Sequence, residues 1–215
     1  VNDLTKEKKQ KHNDRMLIIS IGIIVLLFAA LLYWAATRDR TEAPTTIVYR
    51  GFVFEKAGNT WKTNFVIGNS AENWTKNYEM FFHYNPYEVE TVESMTSGGN
   101  RAASRNLILP LRKIYITTDP DYPASVVLSG VEVAKVLGQI YGINTSSATI
   151  RPDNRSQSAI VTCANNTATT GIVYLKLGNS TRVYNEQNCV IVEGTDPVEM
   201  LKASEKLTYE LLAII

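Results

Sequence analysis

Few side chains in this sequence could do chemistry, and their spacing limits what that chemistry is. There are two histidines, His12 near the start and His83 inside the aromatic run "NYEMFFHY". A zinc site of the His/Cys kind needs several convergent ligands, and neither H-E-x-x-H nor Cys-x-x-Cys spacing occurs. No G-x-S-x-G elbow, S-x-x-K pair, P-loop or G-x-G-x-x-G fingerprint is present either. Ser-His-Asp catalysis would have to use His83, whose expected role is structural, with its ring packed among Phe81, Phe82 and Tyr84.

Carboxylates remain. Asp119 and Asp121 lie in "TTDPDYP", where a strand gives way to a helix and where open α/β sheets bind ligands. Paired acids there could hold a hard cation or act as acid and base. Equally, one of them could accept from the free amides of the first helical turn and serve only as a cap. Asp153, Asn154 and Glu193 are lone candidates on turns. The expectation is no catalytic residue, no metal and no cofactor, with a carboxylate site at Asp119 and Asp121 as the alternative. Eight tyrosines (Tyr84, Tyr87, Tyr115, Tyr122, Tyr141, Tyr174, Tyr184 and Tyr209) could face a carbohydrate or protein partner, or close the rim of a core.

What must position these groups begins with residues 16–36, "MLIISIGIIVLLFAALLYWAA", 21 consecutive residues without a charge. A bilayer core is roughly 30 Å thick and a helix rises about 1.5 Å per residue, so the stretch is long enough to span. Tyr33 and Trp34 sit at its end, where amphipathic rings favour the headgroups. Lys6, Lys8, Lys9, Lys11 and Arg15 precede it, whereas Arg38 and Arg40 follow it mixed with Asp39 and Glu42. That asymmetry predicts a cytoplasmic N-terminus and an uncleaved signal anchor, because the apolar run exceeds the roughly 7 to 15 residues of a secretory signal.

An outside location agrees with the two cysteines. Cys163 and Cys189 are the only pair and are expected to be bonded in an oxidising compartment. Sequons at Asn73, Asn144, Asn154, Asn165 and Asn179 all follow the span, so a glycoprotein is expected. The net charge of +1 gives no electrostatic footprint for nucleic acid. The expected organisation is a basic tail (1–15), the span (16–36), a stalk (37–46), a membrane-proximal β-rich part (47–95), a flexible polar insert (96–110) and a distal α/β part with the disulfide (111–215).

Within the outer part, "IVYRGFVFEK", "WKTNFVIG" and "NYEMFFHY" alternate as strands of an antiparallel meander that ends at Asn85-Pro86. "RKIYITT" reads as a strand, followed by a helix over 124–141 whose polar stripe is Ser125, Ser129, Glu132, Lys135 and Gln139. Further strands fall in "ATIRP" or "SAIVTC", in "GIVYLKL", in "TRVYN" and in "NCVIVEG". Asp196 and Pro197 open a last helix, with Glu199, Lys202, Lys206 and Glu210 on its expected wet face. The fold class is α+β: a transmembrane helix, a β meander, and a mixed sheet covered by two helices.

Taken together, "GFVFEK" with Trp61 beyond it, "YNPYEVE", "TTDPD" and "NCVIVEGTDPVEMLKASEKL" resemble archaeal single-pass membrane proteins with an extracytoplasmic C-terminal domain and no assigned function. The resemblance covers most of the outer chain. It implies a protein of the cell envelope near a surface-layer lattice, with a cysteine pair like Cys163 and Cys189 accompanying the closing strand and helix. The expected role is a non-catalytic binding or structural module whose partners are the lipid bilayer and other envelope proteins or glycans. The alternatives are an envelope hydrolase or metal-dependent enzyme using Asp119 and Asp121, and an accessory subunit of a secretion or transport complex.

Overall fold

The computed structural model describes residues 21–34, 45–69, 74–96, 98–100, 102–155, 157–186 and 189–215. Residues 21–34 form a helix (α1) on which every residue is exposed, among them Leu26, Phe28 and Leu31. Fourteen helical residues extend about 21 Å, and among the described residues no helix is long and apolar enough to cross a membrane. Both flanks of the expected span, residues 16–20 and 35–36, lie outside the described residues, as do the basic tail and most of the stalk.

Residues 45–215 are one compact unit. It opens with the expected meander: β1 (Thr46–Tyr49), β2 (Phe52–Ala57), β3 (Thr60–Asn69) and β4 (Trp74–Phe82), antiparallel in the order β1-β2-β3-β4. The first hairpin turns on Arg50 and Gly51, both at positive φ (48° and 89°), the geometry whose twist matches paired strands. Alternation puts Tyr49, Phe54, Trp61, Thr63, Phe65, Met80 and Phe82 on the buried face and Val53, Val66 and Phe81 on the exposed one.

Two short helices follow. In α2 (Pro86–Val89) the Asn85 side chain accepts from the amides of Tyr87 and Glu88 while Glu88 accepts from the Asn85 amide, a reciprocal cap. Residues 96–110, expected as a flexible insert, contain α3 (Ala103–Ile108), with Ser104 and Ile108 buried. Polar composition concealed this helix, because the residue it uses for docking is itself a serine.

A second sheet contains β5 (Lys113–Thr118), β6 (Asn144–Thr149), the two-residue β7 (Ala159–Ile160), β8 (Thr170–Leu177), β9 (Arg182–Glu186) and β10 (Cys189–Gly194). Their order is β7-β6-β5-β8-β10-β9, all parallel except β9 against β10. The helix α4 (Val126–Lys135) runs on through a π-helical turn, Val136–Ile140, and connects β5 to β6. After β10, α5 (Pro197–Leu211) starts at Asp196, whose carboxylate accepts from the amides of Val198 (2.8 Å) and Glu199 (3.0 Å). The α+β class, the meander and the mixed sheet with helices are therefore present as read.

The two long helices bury the apolar residues expected of them, among them Val126, Val133, Leu201 and Leu207, but part of each polar stripe is buried as well. On α4, Ser129 and Glu132 are buried while Val127, Leu128 and Val131 are exposed. On α5, Lys206 and Glu210 of the expected wet face are buried, and from Met200 to Leu211 only Lys202 is not. The cause is that α5 lies between elements: it packs on β10, beside α4, and against the meander, where Tyr209 meets Phe82 at 4.4 Å and Phe54 at 5.9 Å between ring centres. Its polar side faces other protein. Glu210 accepts from Thr96 (2.7 Å) and from Ser104 of α3, and Lys206 donates to the Glu90 carbonyl (3.3 Å).

The mixed sheet divides its side chains by period two. Val173, Leu175, Val190 and Val192 join the main core under α5, while Ile172, Ile191, Ala148 and Val161 form a smaller cluster on the other face with the disulfide. Cys163, in a 3-10 turn after β7, is bonded to Cys189 at the start of β10, and no free cysteine remains.

Two stability outcomes follow from this packing. Replacing both cysteines with serine removes a crosslink spanning 26 residues and is expected to cost about 3 kcal/mol, read from urea unfolding of oxidised protein against the double variant. At Gly194 a Cβ would come within 2.2 Å of the Met200 amide nitrogen, a backbone atom that cannot swing aside. Gly194→Ala is therefore expected to push α5 off β10 and to lower stability by about 3 kcal/mol in the same assay; a change near zero would contradict the close approach.

Candidate functional site

The acids singled out in the sequence gather at or near the carboxyl ends of the parallel strands, where open sheets bind ligands. Each is met there by an arginine. Asp119, just past β5, and Asp121 both bind Arg151, which follows β6; the Asp119 contact is 2.7 Å. Asp119 also accepts from the Asp121 amide (2.9 Å), which folds the loop onto itself. Neither acid caps α4, whose N-cap, Ser125, makes no side-chain cap bond. The paired carboxylates raise the Arg151 guanidinium above its ordinary value, Asp121 contributing first and Asp119 second.

The same holds for the lone candidates. Asp153 binds Arg155 (3.0 Å), which also donates to the Pro120 carbonyl. Glu193, near the end of β10, is buried, binds Arg182 of β9 (3.1 Å) and accepts from the Asn179 amide (3.0 Å). Asn154 is exposed.

The tyrosines divide. Tyr209 is fully buried and donates to the Tyr84 carbonyl (2.6 Å). Tyr87 is exposed and donates to the Val48 carbonyl (3.0 Å). Tyr115, Tyr174 and Tyr184 are half-buried on the disulfide face of the mixed sheet, with Lys113 over the Tyr115 ring and Arg182 over the Tyr184 ring. Burial first, and Tyr122 second, raise the Tyr174 hydroxyl well above its ordinary value. Asn144, Asn154, Asn165 and Asn179 are all exposed, as glycan attachment requires; Asn73 lies outside the described residues.

A cluster not anticipated from sequence lies where β4, α4 and α5 meet. His83, one residue beyond β4, has its Nδ1 3.0 Å from Glu205 Oε1 of α5 and 3.8 Å from Glu132 Oε1 of α4. Glu205 is wholly buried, and its two oxygens also accept the His83 amide (2.6 Å) and the Tyr84 amide (2.7 Å). Glu132 is nearly buried and binds Lys135, whose ammonium also donates to the Phe81 carbonyl (2.7 Å). Hydrogen bonding to Glu205 raises the His83 imidazole above its ordinary value, and burial raises the Glu205 carboxyl. The hydrogen bonds from His83 act against burial at Glu205 without cancelling it.

The His83 ring, expected to pack among Phe81, Phe82 and Tyr84, lies against Glu205 of α5 and Glu132 of α4 and keeps a third of its side chain exposed. Sequence reasoning missed the cluster because His83 and Glu205 are 122 residues apart. The one available signal was a glutamate in the middle of a helix, between Ser204 and Lys206 and off the stripe expected to be wet.

Beside α4 runs an apolar groove of about 190 Å³, floored by Ile116 and Leu175, walled by Val127 and Val131, and edged by Thr145 of β6. Gly130 brings α4 close to the sheet there, since a Cβ would meet Ile116 at 3.2 Å and Leu175 at 3.3 Å. Compared with protein-family models, with curated proteins and with solved structures, the chain has no match.

The Glu193 pair has a pH signature. Burial pushes its carboxyl up, but Arg182 and the Asn179 amide outweigh burial and hold it below the ordinary value. The stability it supplies is therefore present above the unfolded value of about 4.3 and is lost as pH falls through the lower folded one. Thermal unfolding followed across the acid range is expected to decline less steeply in Glu193→Gln than in the parent; superimposable slopes would contradict the pairing.

Proposed function

We propose that this chain is a membrane-anchored, extracytoplasmic binding or structural module of the cell envelope, without catalytic activity of its own. The observation that carries the reading is α1, a helix apolar all round and exposed on every side. Such a surface is stable in lipid and costly in water. The uncharged flanks that continue it to 21 residues in the sequence, and the lysines before it, support a single span with the N-terminus in the cytoplasm.

The bonded cysteines and the four exposed sequon asparagines support an oxidising, glycosylating compartment for residues 45–215. Against the enzyme alternative stands the pairing of Asp119 and Asp121 with Arg151. The groove beside α4 is apolar along its floor and walls, which suits a partner's side chains better than a polar substrate. The resemblance to archaeal membrane proteins supports an envelope setting, where other envelope proteins or glycans would be the partners.

Topology is directly measurable. In intact cells carrying the full-length chain, a membrane-impermeant maleimide is expected to label Asn64→Cys, and to label Thr5→Cys only after permeabilisation. Alkaline carbonate is expected to leave the protein in the membrane fraction and detergent to release it. Labelling of Thr5→Cys alone in intact cells, or release by carbonate, would overturn the reading.

A further inference from the structure

We propose that His83, Glu132 and Glu205 form a binding site for a divalent cation of the zinc class. Donor atoms converge from α4, α5 and the end of β4: one ligand atom from each of His83, Glu132 and Glu205 lies within 4.8 Å of the other two. Zinc bonds to imidazole nitrogen and carboxylate oxygen are about 2.0–2.2 Å long, so neighbouring ligands of a tetrahedral ion lie about 3.3 Å apart. The separations of Nδ1 from the two oxygens, 3.0 and 3.8 Å, bracket that value.

The remaining bonds leave these atoms turned to a common point. Lys135 takes Glu132 Oε2, leaving Oε1 toward the imidazole, and the two backbone amides of His83 and Tyr84 fix the plane of the Glu205 carboxylate. Outer hydrogen bonds of this kind orient ligands in metal sites. A proton on Nδ1 can serve Glu205 at 3.0 Å but does not reach Glu132 at 3.8 Å, whereas a cation at the centre serves all three. Carboxylates this deeply buried need positive charge close by, and a mixed nitrogen and oxygen set favours zinc, cobalt or manganese over calcium. The exposed third of the His83 side chain gives an entry path and leaves room for water as the fourth ligand. Binding would tie β4, α4 and α5 at one point and would displace any proton on Nδ1 to solvent.

The site is independent of the membrane topology proposed above, and its test does not depend on it. Untagged full-length protein in detergent, freed of metal, is titrated with Co²⁺ and followed by visible absorption, then challenged with Zn²⁺ against a chromophoric chelator. One Co²⁺ per chain with a tetrahedral-type band, displaced by Zn²⁺, is the expected result. His83→Gln and Glu132→Gln should each weaken binding by at least about tenfold, while Glu199→Gln, in a surface ion pair, leaves it unchanged. Circular dichroism of each variant separates lost ligands from lost fold, and the isosteric Glu132→Gln keeps the test open if His83→Gln does not fold. Absence of stoichiometric binding, or equal binding by the parent and Glu132→Gln, would overturn the proposal.

Discussion

A carboxylate with no access to water must be met by donors, and Glu205 is such a carboxylate at the middle of the compact unit. Leaving a charge of this kind unpaired costs several kcal/mol, and because α4 brings a second acid, Glu132, to the same place, the donors have to come from the end of β4 and from Lys135. The chain satisfies that demand by ending β4 at this height. The backbone there, no longer committed to the sheet, turns two amides and an imidazole onto Glu205. The seating of the meander on the helices is therefore set by polar geometry as well as by the Tyr209, Phe54 and Phe82 packing next to it.

The same constraint recurs along the helix. Glu210 is met by Thr96 and Ser104, and Lys206 by the Glu90 carbonyl, which makes the loop after α2 and the helix α3 the donors and acceptors for one side of α5. Burial holds the Lys206 ammonium below its ordinary value, with Glu210 and Glu90 acting in the opposite sense. A helix with charges on one stripe would lie at the surface of a smaller protein. Here the stripe serves as the interface that joins the meander to the mixed sheet, and replacing such interactions by apolar packing would loosen which surfaces fit.

This accounts for what the sequence disclosed. Period-two alternation located the strands of the meander and of the mixed sheet, and the Asp196-Pro197 start of α5 was legible because capping is a local matter of orphan amides. Periodicity also grouped Ser129 with Glu132, and Lys206 with Glu210, on shared faces. It could not say what each face meets, since a polar stripe looks the same whether it contacts water or a partner's donors. For that reason both long helices were read with their polar stripes outward, whereas Ser129, Glu132, Lys206 and Glu210 are buried and Val127 and Val131 are exposed. The acids fared similarly: Asp119 and Asp121 lie beyond the carboxyl end of β5, as expected, but Arg151, which pairs with them, follows a different strand. The His83 cluster depended wholly on contacts between distant parts of the chain.

The central claim is that Glu205 holds the end of β4 against α5 through the His83 and Tyr84 amides. Hydrogen exchange at those two amides tests it most directly, because neither belongs to a strand and no other structure would protect them. The account predicts exchange in the parent as slow as in the core of β10, with at least one of the two amides released relative to that core in Glu205→Gln, which keeps a single acceptor oxygen, and both in Glu205→Ala. Rapid exchange at His83 and Tyr84 in the parent, while β10 remains protected, would contradict it.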